Sequence, residues 1–257
     1  MPRSNIRVSR SLEGHLAPLP PDERTKFFVF VIESPSAVDL YHRRGEGDIV
    51  RQAVELNGIG CVVKTAISLD AFKACLKVGL SEAMAVRQGF LPLLHISAHG
   101  DLHGIQLSDG YVMQWAELKE YLRPVNQALG GSLVVCMSSC DGYSGIRMAM
   151  HPNEPDLPYL ALVGCGDKPT WGETAIGYAT FYHQLWRGEH VIQAVGAMRV
   201  ASGNNRFFVE HAANSRKTYI DFLSSINPAT AQQNLEDMVA SEPPQNQSDL
   251  KKLSDAP

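Results

Sequence analysis

The chain has 257 residues, 44% of them hydrophobic, and a formal net charge of −4 with a pI near 6.1. That is enough for one large α/β domain or two small ones, and the lack of a basic stripe excludes a nucleic-acid partner. The five cysteines, Cys61, Cys75, Cys136, Cys140 and Cys165, are odd in number and lack disulfide-scaffold spacing, so they read as reduced thiols of a cytoplasmic protein.

Residues 1–25 mix prolines and charges without periodicity and are expected to form a loose arm. They hold no apolar h-region, so no secretory signal is read there. No run of about 18 apolar residues occurs anywhere, so no membrane partner is expected. "KFFVFVIES" (26–34) is aromatic and β-branched, the mark of a buried strand. "GDIVRQAVELNG" (47–58) has helical spacing and stops at Asn57-Gly58, a C-cap pattern. "IGCVVKTAIS" (59–68) is a second strand, 69–89 a helix, and "FLPLLHISAHG" (90–100) a third strand. "GIQLSDGYVMQW" (104–115) reads as a hairpin turning at Ser108-Asp109-Gly110.

A helix is expected over 116–131, broken or kinked at Pro124 and stopped by Gly130-Gly131. "SLVVCMSSCDG" (132–142) is a fourth strand. "HPNEPDLP" (151–158) is a loop, and "YLALVGCGD" (159–167) a fifth strand. Residues 172–203 read as two helices parted near Gly188, and "NNRFFVEHA" (204–212) as a last strand. From Asn227 the chain turns polar, so 227–257 is expected to be a disordered tail. Strands alternating with helices imply an α/β sandwich with a mostly parallel sheet. Chemistry in such sheets sits at the carboxyl ends of the strands.

Two strand ends carry reactive residues. "LLHISAHGD" (93–101) delivers His99 to a turn, and "LVVCMSSCDG" (133–142) delivers Cys140 to another. Three chemistries compete. A zinc site built from His95, His99, Cys136 and Cys140 is disfavoured, because residues four apart on a strand lie ~13 Å apart and zinc bonds are ~2.0–2.3 Å long. An amidotransferase-type cysteine is disfavoured by chain order, since His99 precedes Cys140 and no Gly-x-Cys-x-Gly elbow surrounds it. A cysteine nucleophile with His99 as base is favoured. The Gly100 and Cys140 N–H groups are candidate oxyanion donors. A helix starting near Ser144 is expected to point its positive end at the thiol and lower its pKa. Asp141 would raise that pKa if it faced inward, or would cap the helix. His95 is read as a satisfied core residue and Cys136 as a small hydrophobe. Each turn alone is an ordinary strand-to-loop connection; the two together, in this order, favour catalysis.

These stretches resemble the caspase-like cysteine peptidases, and within them the CHAT domain family. "LLHISAHGD" with "IQLSDGYVMQWAEL" (105–118) resembles the His-Gly strand, hairpin and helix of that family. "LVVCMSSCDGYSG" (133–145) resembles its cysteine turn, and 160–195 the following strand, acidic loop and helix. The likeness covers roughly Lys26 to Ala213. It implies a three-layer α/β/α caspase-like sandwich over 26–226, with His99 as general base, Cys140 as nucleophile and Gly100 in the oxyanion hole. It implies an endopeptidase that needs no metal or organic cofactor and cuts a protein substrate. Relatives that cut after Arg or Lys carry an acid in the S1 pocket, often two residues before the cysteine. Ser138 stands there, so Glu173 and Asp167 are the S1 candidates for a basic P1 residue, with Trp171 placed to line that pocket. Each acid also has an ordinary reading, as a helix-start residue or a solvated loop charge. Such proteases are kept latent, so an activating protein partner or processing is expected, and bacterial relatives serve in defence or cell death. The other class to weigh is a catalytically silent interaction module of the same fold.

Overall fold

The computed structural model describes residues 18–226, with residue 22 excepted. Contacts divide the chain at Arg216 and Lys217, and the sheet and the site belong to the first unit. In chain order the elements begin with β1 (Phe27–Ser34), α1 (Ala37–Tyr41), α2 (Gly47–Glu55), β2 (Cys61–Thr65) and α3 (Leu69–Ala74). α3 passes through a π-helical turn, Cys75–Gly79, into α4 (Leu80–Val86). β3 (Leu91–Gly100), the hairpin β4 (Gly104–Gln106) and β5 (Val112–Gln114), α5 (Trp115–Ala128) and β6 (Val134–Ser138) come next. A 3-10 stretch, Gly142–Ala149, precedes β7 (Ala161–Cys165), α6 (Trp171–Trp186), α7 (Val191–Ser202), β8 (Phe207–His211) and α8 (Ala212–Ser225).

The sheet order is β2-β1-β3-β6-β7-β8, with β4 and β5 attached beside the end of β3. β2, β1, β3, β6 and β7 are parallel, and β8 closes the edge antiparallel. β1 and β3 are apolar on both faces, as strands buried between two helical layers must be. Alternation splits their side chains between the layers. Phe28, Phe30, Ile32, Leu94, Ile96, Val135 and Met137 pack under α3, α4 and α5 through Phe72, Leu80, Leu118 and Leu122. Val29, Val31, Leu93, Val134 and Val163 pack under α2, α6 and α7 through Val50, Val54, Tyr178, Phe181 and Met198. Each such side chain contributes about 1.5–3 kcal/mol on burial. This is the α/β/α layering the strand-helix alternation implied.

Four local features depart from the sequence reading. α1 was not expected; Ser36 caps it, its hydroxyl taking the Asp39 N–H while Asp39 returns a bond to the Ser36 N–H. α5 runs unbroken through Pro124, which removes only the amide that would have bonded Glu120. The segment after Cys140 is 3-10, not an α-helix starting near Ser144. α8 follows directly on β8, where no helix was read.

Of the expected arm, the part from residue 18 on is tied to the α6–α7 junction: Leu19 N–H donates to Gly188 O (2.8 Å) and Arg24 Nε to Leu19 O (2.9 Å). The rest of the arm (1–17) and the tail (227–257) lie outside the described residues. No described helix is long and apolar enough to cross a membrane.

Candidate active site

β3 and β6 are adjacent and parallel, with His95 opposite Cys136 and Ser97 opposite Ser138. Beyond these pairs His99 stays on β3, on the face of His95 by alternation, while Cys140 lies in the turn two residues past the end of β6. Both line one cleft of about 90 Å³, with Ala98, Ser138, Ser139, Pro169, Trp171 and Thr174. The layer on this side is that of α2 and α6, and the cleft opens at the carboxyl ends of the strands. A larger cleft, about 420 Å³ between α3–α4 and α5, is lined by apolar residues with Lys73, Lys77 and Glu120. It holds neither a histidine nor a cysteine, so the smaller cleft is the candidate for chemistry.

His99 is fixed by two neighbours. Its Nε2 lies 2.6 Å from Asp39 Oδ2, and Trp171 meets its ring edge-on with centroids 6.0 Å apart. The Asp39 bond commits Nε2 and leaves Nδ1 for the cleft. Burial pushes the Asp39 carboxyl up, but hydrogen bonds from Ser36 and His99 and the charge of His99 outweigh it. The carboxyl is held below its ordinary value. It is therefore an anion at neutral pH, aimed at the imidazole.

The Cys140 thiol is half-buried. Burial pushes it above the ordinary thiol value; the Asp141 and Asp167 carboxylates add to this and Lys168 opposes it. The expectation of a thiol lowered by a helix N-terminus is therefore overturned. The segment that follows is 3-10, and it opens with Asp141 in the left-handed region (φ 52°) with no side-chain cap bond. Asp141 N–H instead donates to Asp167 O (2.8 Å), tying the cysteine turn to the loop that ends in Pro169 and Trp171.

Two glycines let these strand ends meet. A Cβ on Gly100 would stand 3.0 Å from Gly104 O, 3.0 Å from Ser139 Cβ and 3.1 Å from Cys140 O. A Cβ on Gly142 would stand 2.7 Å from Met137 O. The register also frees one donor. Asp101 N–H bonds Gly104 O and His99 pairs with Gln106, so Gly100, opposite Ile105, holds the non-bonded position of the antiparallel ladder. Its N–H is turned away from β4.

The S1 candidates lie on the segment bordering the cleft. Trp171 lines it; Glu173 and Asp167 do not. Glu173 accepts from Thr170 N–H (2.6 Å) and Asn204 Nδ2 (3.3 Å), and the Thr170 bonds hold its carboxyl below the usual range. Asp167 accepts from Lys168 N–H (2.8 Å). His95 is wholly buried, as a satisfied core histidine should be, with Tyr182 OH 2.9 Å from Nδ1 and Glu46 Oε2 3.4 Å from Nε2. These bonds and its place two register steps below His99 keep it from any metal shared with Cys140. Among the described residues no group of three or more His, Cys, Asp or Glu side chains is arranged to hold a metal.

Sequence reasoning missed Asp39 and Glu46. Asp39 left one signal, the Ser36-x-x-Asp39 capping box. Glu46 left none, because its partner lies 49 residues away.

No family model matches the chain, and no curated protein does. Among solved structures, it is similar to the Arg-specific cysteine proteinase gingipain R, at 11% identity over 73% of this chain and 48% of that one, with a TM-score of 0.41. It is similar also to the complex of the RgpB pro- and mature domains of Porphyromonas gingivalis. There the identity is 12% over 74% of this chain and 50% of that one, with a TM-score of 0.42. The chain thus spans about half the length of the chains it matches. A likeness this distant says nothing of substrate or mechanism.

Proposed function

We propose that this protein is a cysteine endopeptidase of the caspase-like fold, CHAT type, with Cys140 as nucleophile and His99 as general base. One observation carries the reading: His99 on β3 and Cys140 in the turn after the neighbouring parallel β6 line one cleft, and His99 is braced by the Asp39 carboxylate. The thiol is held in its neutral form at rest, so the proton must leave as the bond forms. Cys140 Sγ attacks the scissile carbonyl while His99 Nδ1 takes the thiol proton. Asp39 stabilises the imidazolium. The Gly100 and Cys140 N–H groups receive the oxyanion. His99 then passes its proton to the leaving amine, and water hydrolyses the thioester.

A basic P1 residue is part of this proposal. Asp141 follows Cys140 directly and its N–H donates to Asp167 O (2.8 Å), so two carboxylate residues meet at the cysteine turn, and negative charge there favours a cationic side chain. Asp167 and Glu173 are the acids proposed to read it, with Trp171 forming a wall. The cysteine pattern supports a cytoplasmic enzyme, and sequence resemblance supports an activating protein partner or processing step and a place in bacterial defence or cell death. The loop 151–158 contains no Arg or Lys, so self-cutting within it is not expected. A second reading, a silent interaction module, is favoured by the raised Cys140 thiol. An irreversible thiol electrophile on a basic-P1 peptide separates the two. The peptidase reading expects label on Cys140 alone, lost in His99→Ala. Equal labelling of all five cysteines, or none, supports the silent module.

A further inference from the structure

β3 carries two histidines four residues apart, and strand alternation puts both on one face. Each meets the same two kinds of partner. His99 has the Asp39 carboxylate at 2.6 Å and the Trp171 ring edge-on, 6.0 Å between centroids and 80° between planes. His95 has the Glu46 carboxylate at 3.4 Å and the Tyr178 ring edge-on, 4.7 Å and 84°. Both carboxylates come from the segment between β1 and β2. Both aromatic rings come from α6, two helical turns apart.

The two rungs differ in burial. At the cleft, the side chains of His99 and Asp39 are 42% and 9% exposed; below it, those of His95 and Glu46 are both at 0%. The lower rung is also tied more widely, since His95 Nδ1 meets Tyr182 OH at 2.9 Å. Burial pushes the Glu46 carboxyl up, yet its pairing with His95 holds it below the ordinary value. Taking a carboxylate this deep costs several kcal/mol before pairing.

The segment joining the carboxylates is short and braced. Arg44 N–H donates to Asp39 O (2.8 Å). Arg43 adopts a left-handed conformation (φ 54°). Gly47 N–H donates to Glu33 Oε2 (2.9 Å) at the end of β1. Glu46 therefore stands at the far end of a hydrogen-bonded bracket whose near end is Asp39.

We propose that Glu46 and His95 are positioning residues: their buried pair plants the 39–47 bracket on β3 and so sets the Asp39 carboxylate against His99. Neither touches substrate. The proposal rests on the reading of His99 as the base, and its first readout does not need cleavage.

The test uses Glu46→Gln, which keeps the shape and a hydrogen bond to His95 but removes the charge. It also uses Tyr182→Phe, which keeps the ring and the His95–Glu46 contact. The first readout is the downfield proton resonance of His99 Nε2–H, with Asp39→Asn as the reference for its loss. The second is kcat against KM on a cleaved peptide. The expected result for Glu46→Gln is loss or a large upfield shift of that resonance, with kcat down about 10²-fold, the cost of a misplaced catalytic group. KM should stay within about twofold. Tyr182→Phe should move both readouts the same way by less, and it carries the test if Glu46→Gln does not fold. A folded Glu46→Gln that keeps the resonance and kcat overturns the proposal. So does a rise in KM alone, which would make Glu46 a substrate contact. A wild type that cleaves nothing makes the silent interaction module the working reading but leaves the resonance test intact.

Discussion

Gly100→Ala adds one methyl group at the point where β3 and the cysteine turn touch. The new Cβ would stand 3.0–3.1 Å from Gly104 O, Ser139 Cβ and Cys140 O, tighter than ordinary van der Waals contact by a few tenths of an ångström. Two of the three are backbone oxygens, which no rotamer change can move aside. Overpacking of this kind costs about 1–3 kcal/mol, a fall in Tm of about 2–12 °C for a domain of this size. The relief must come from separating the strand end from the turn. That carries the Gly100 N–H away from the carbon that Cys140 attacks, and loss of one oxyanion donor costs about 10²–10³ in kcat. Thermal melting and peptide hydrolysis read the two effects separately. A variant with wild-type Tm and kcat within about twofold of wild type would refute both the tight contact and the donor role.

Three further outcomes follow from the same geometry. Asp39→Asn replaces a charge-assisted bond worth about 1.5–3 kcal/mol, so kcat should fall about 10- to 150-fold; a fall under about twofold would remove Asp39 from the mechanism. Asp141→Asn keeps a residue that tolerates the left-handed region and removes the carboxylate second only to burial in raising the Cys140 thiol. Iodoacetamide should then modify Cys140 several-fold faster at pH 8, and an unchanged rate would show that Asp141 does not act on the thiol. Asp39, Glu46 and Glu154 are each held below the ordinary carboxyl value despite burial, by bonds and charges from Ser36, His95 and Lys119 respectively. Groups lowered in the folded state add stability that is present above their unfolded values and lost as pH falls through the folded ones. Tm should therefore drop progressively below about pH 5, and a flat Tm down to pH 3 would contradict these pairings.

The strands were legible because their signals are local. "FFVFVIES" and "LLHISAHG" are apolar, β-branched or aromatic runs closed by small residues, and both are strands within a residue or two of where they were read. That His99 and Cys140 would border one cleft was legible for the same reason, since each ends such a run. α1 was not, because five residues show no helical periodicity and its one mark is the Ser36 cap. Pro124 misled in the opposite direction. Its φ suits a helix, and burial of Leu118, Leu122 and Asn126 holds α5 together across the lost bond. The thiol was misjudged because a short 3-10 stretch was taken for an α-helix whose dipole would reach it. Burial and two carboxylates act on it instead. Glu46 and His95 are joined only by the tertiary fold, which no local pattern encodes.

The central claim is that His99 and Cys140 together cut peptides. A peptide-fluorophore library varied at P1, run on the wild type, Cys140→Ala and His99→Ala, tests it most directly. Cleavage after Arg or Lys is expected in the wild type and none in either variant. Cleavage that persists in Cys140→Ala, or a preference for acidic or apolar P1 residues, would contradict it.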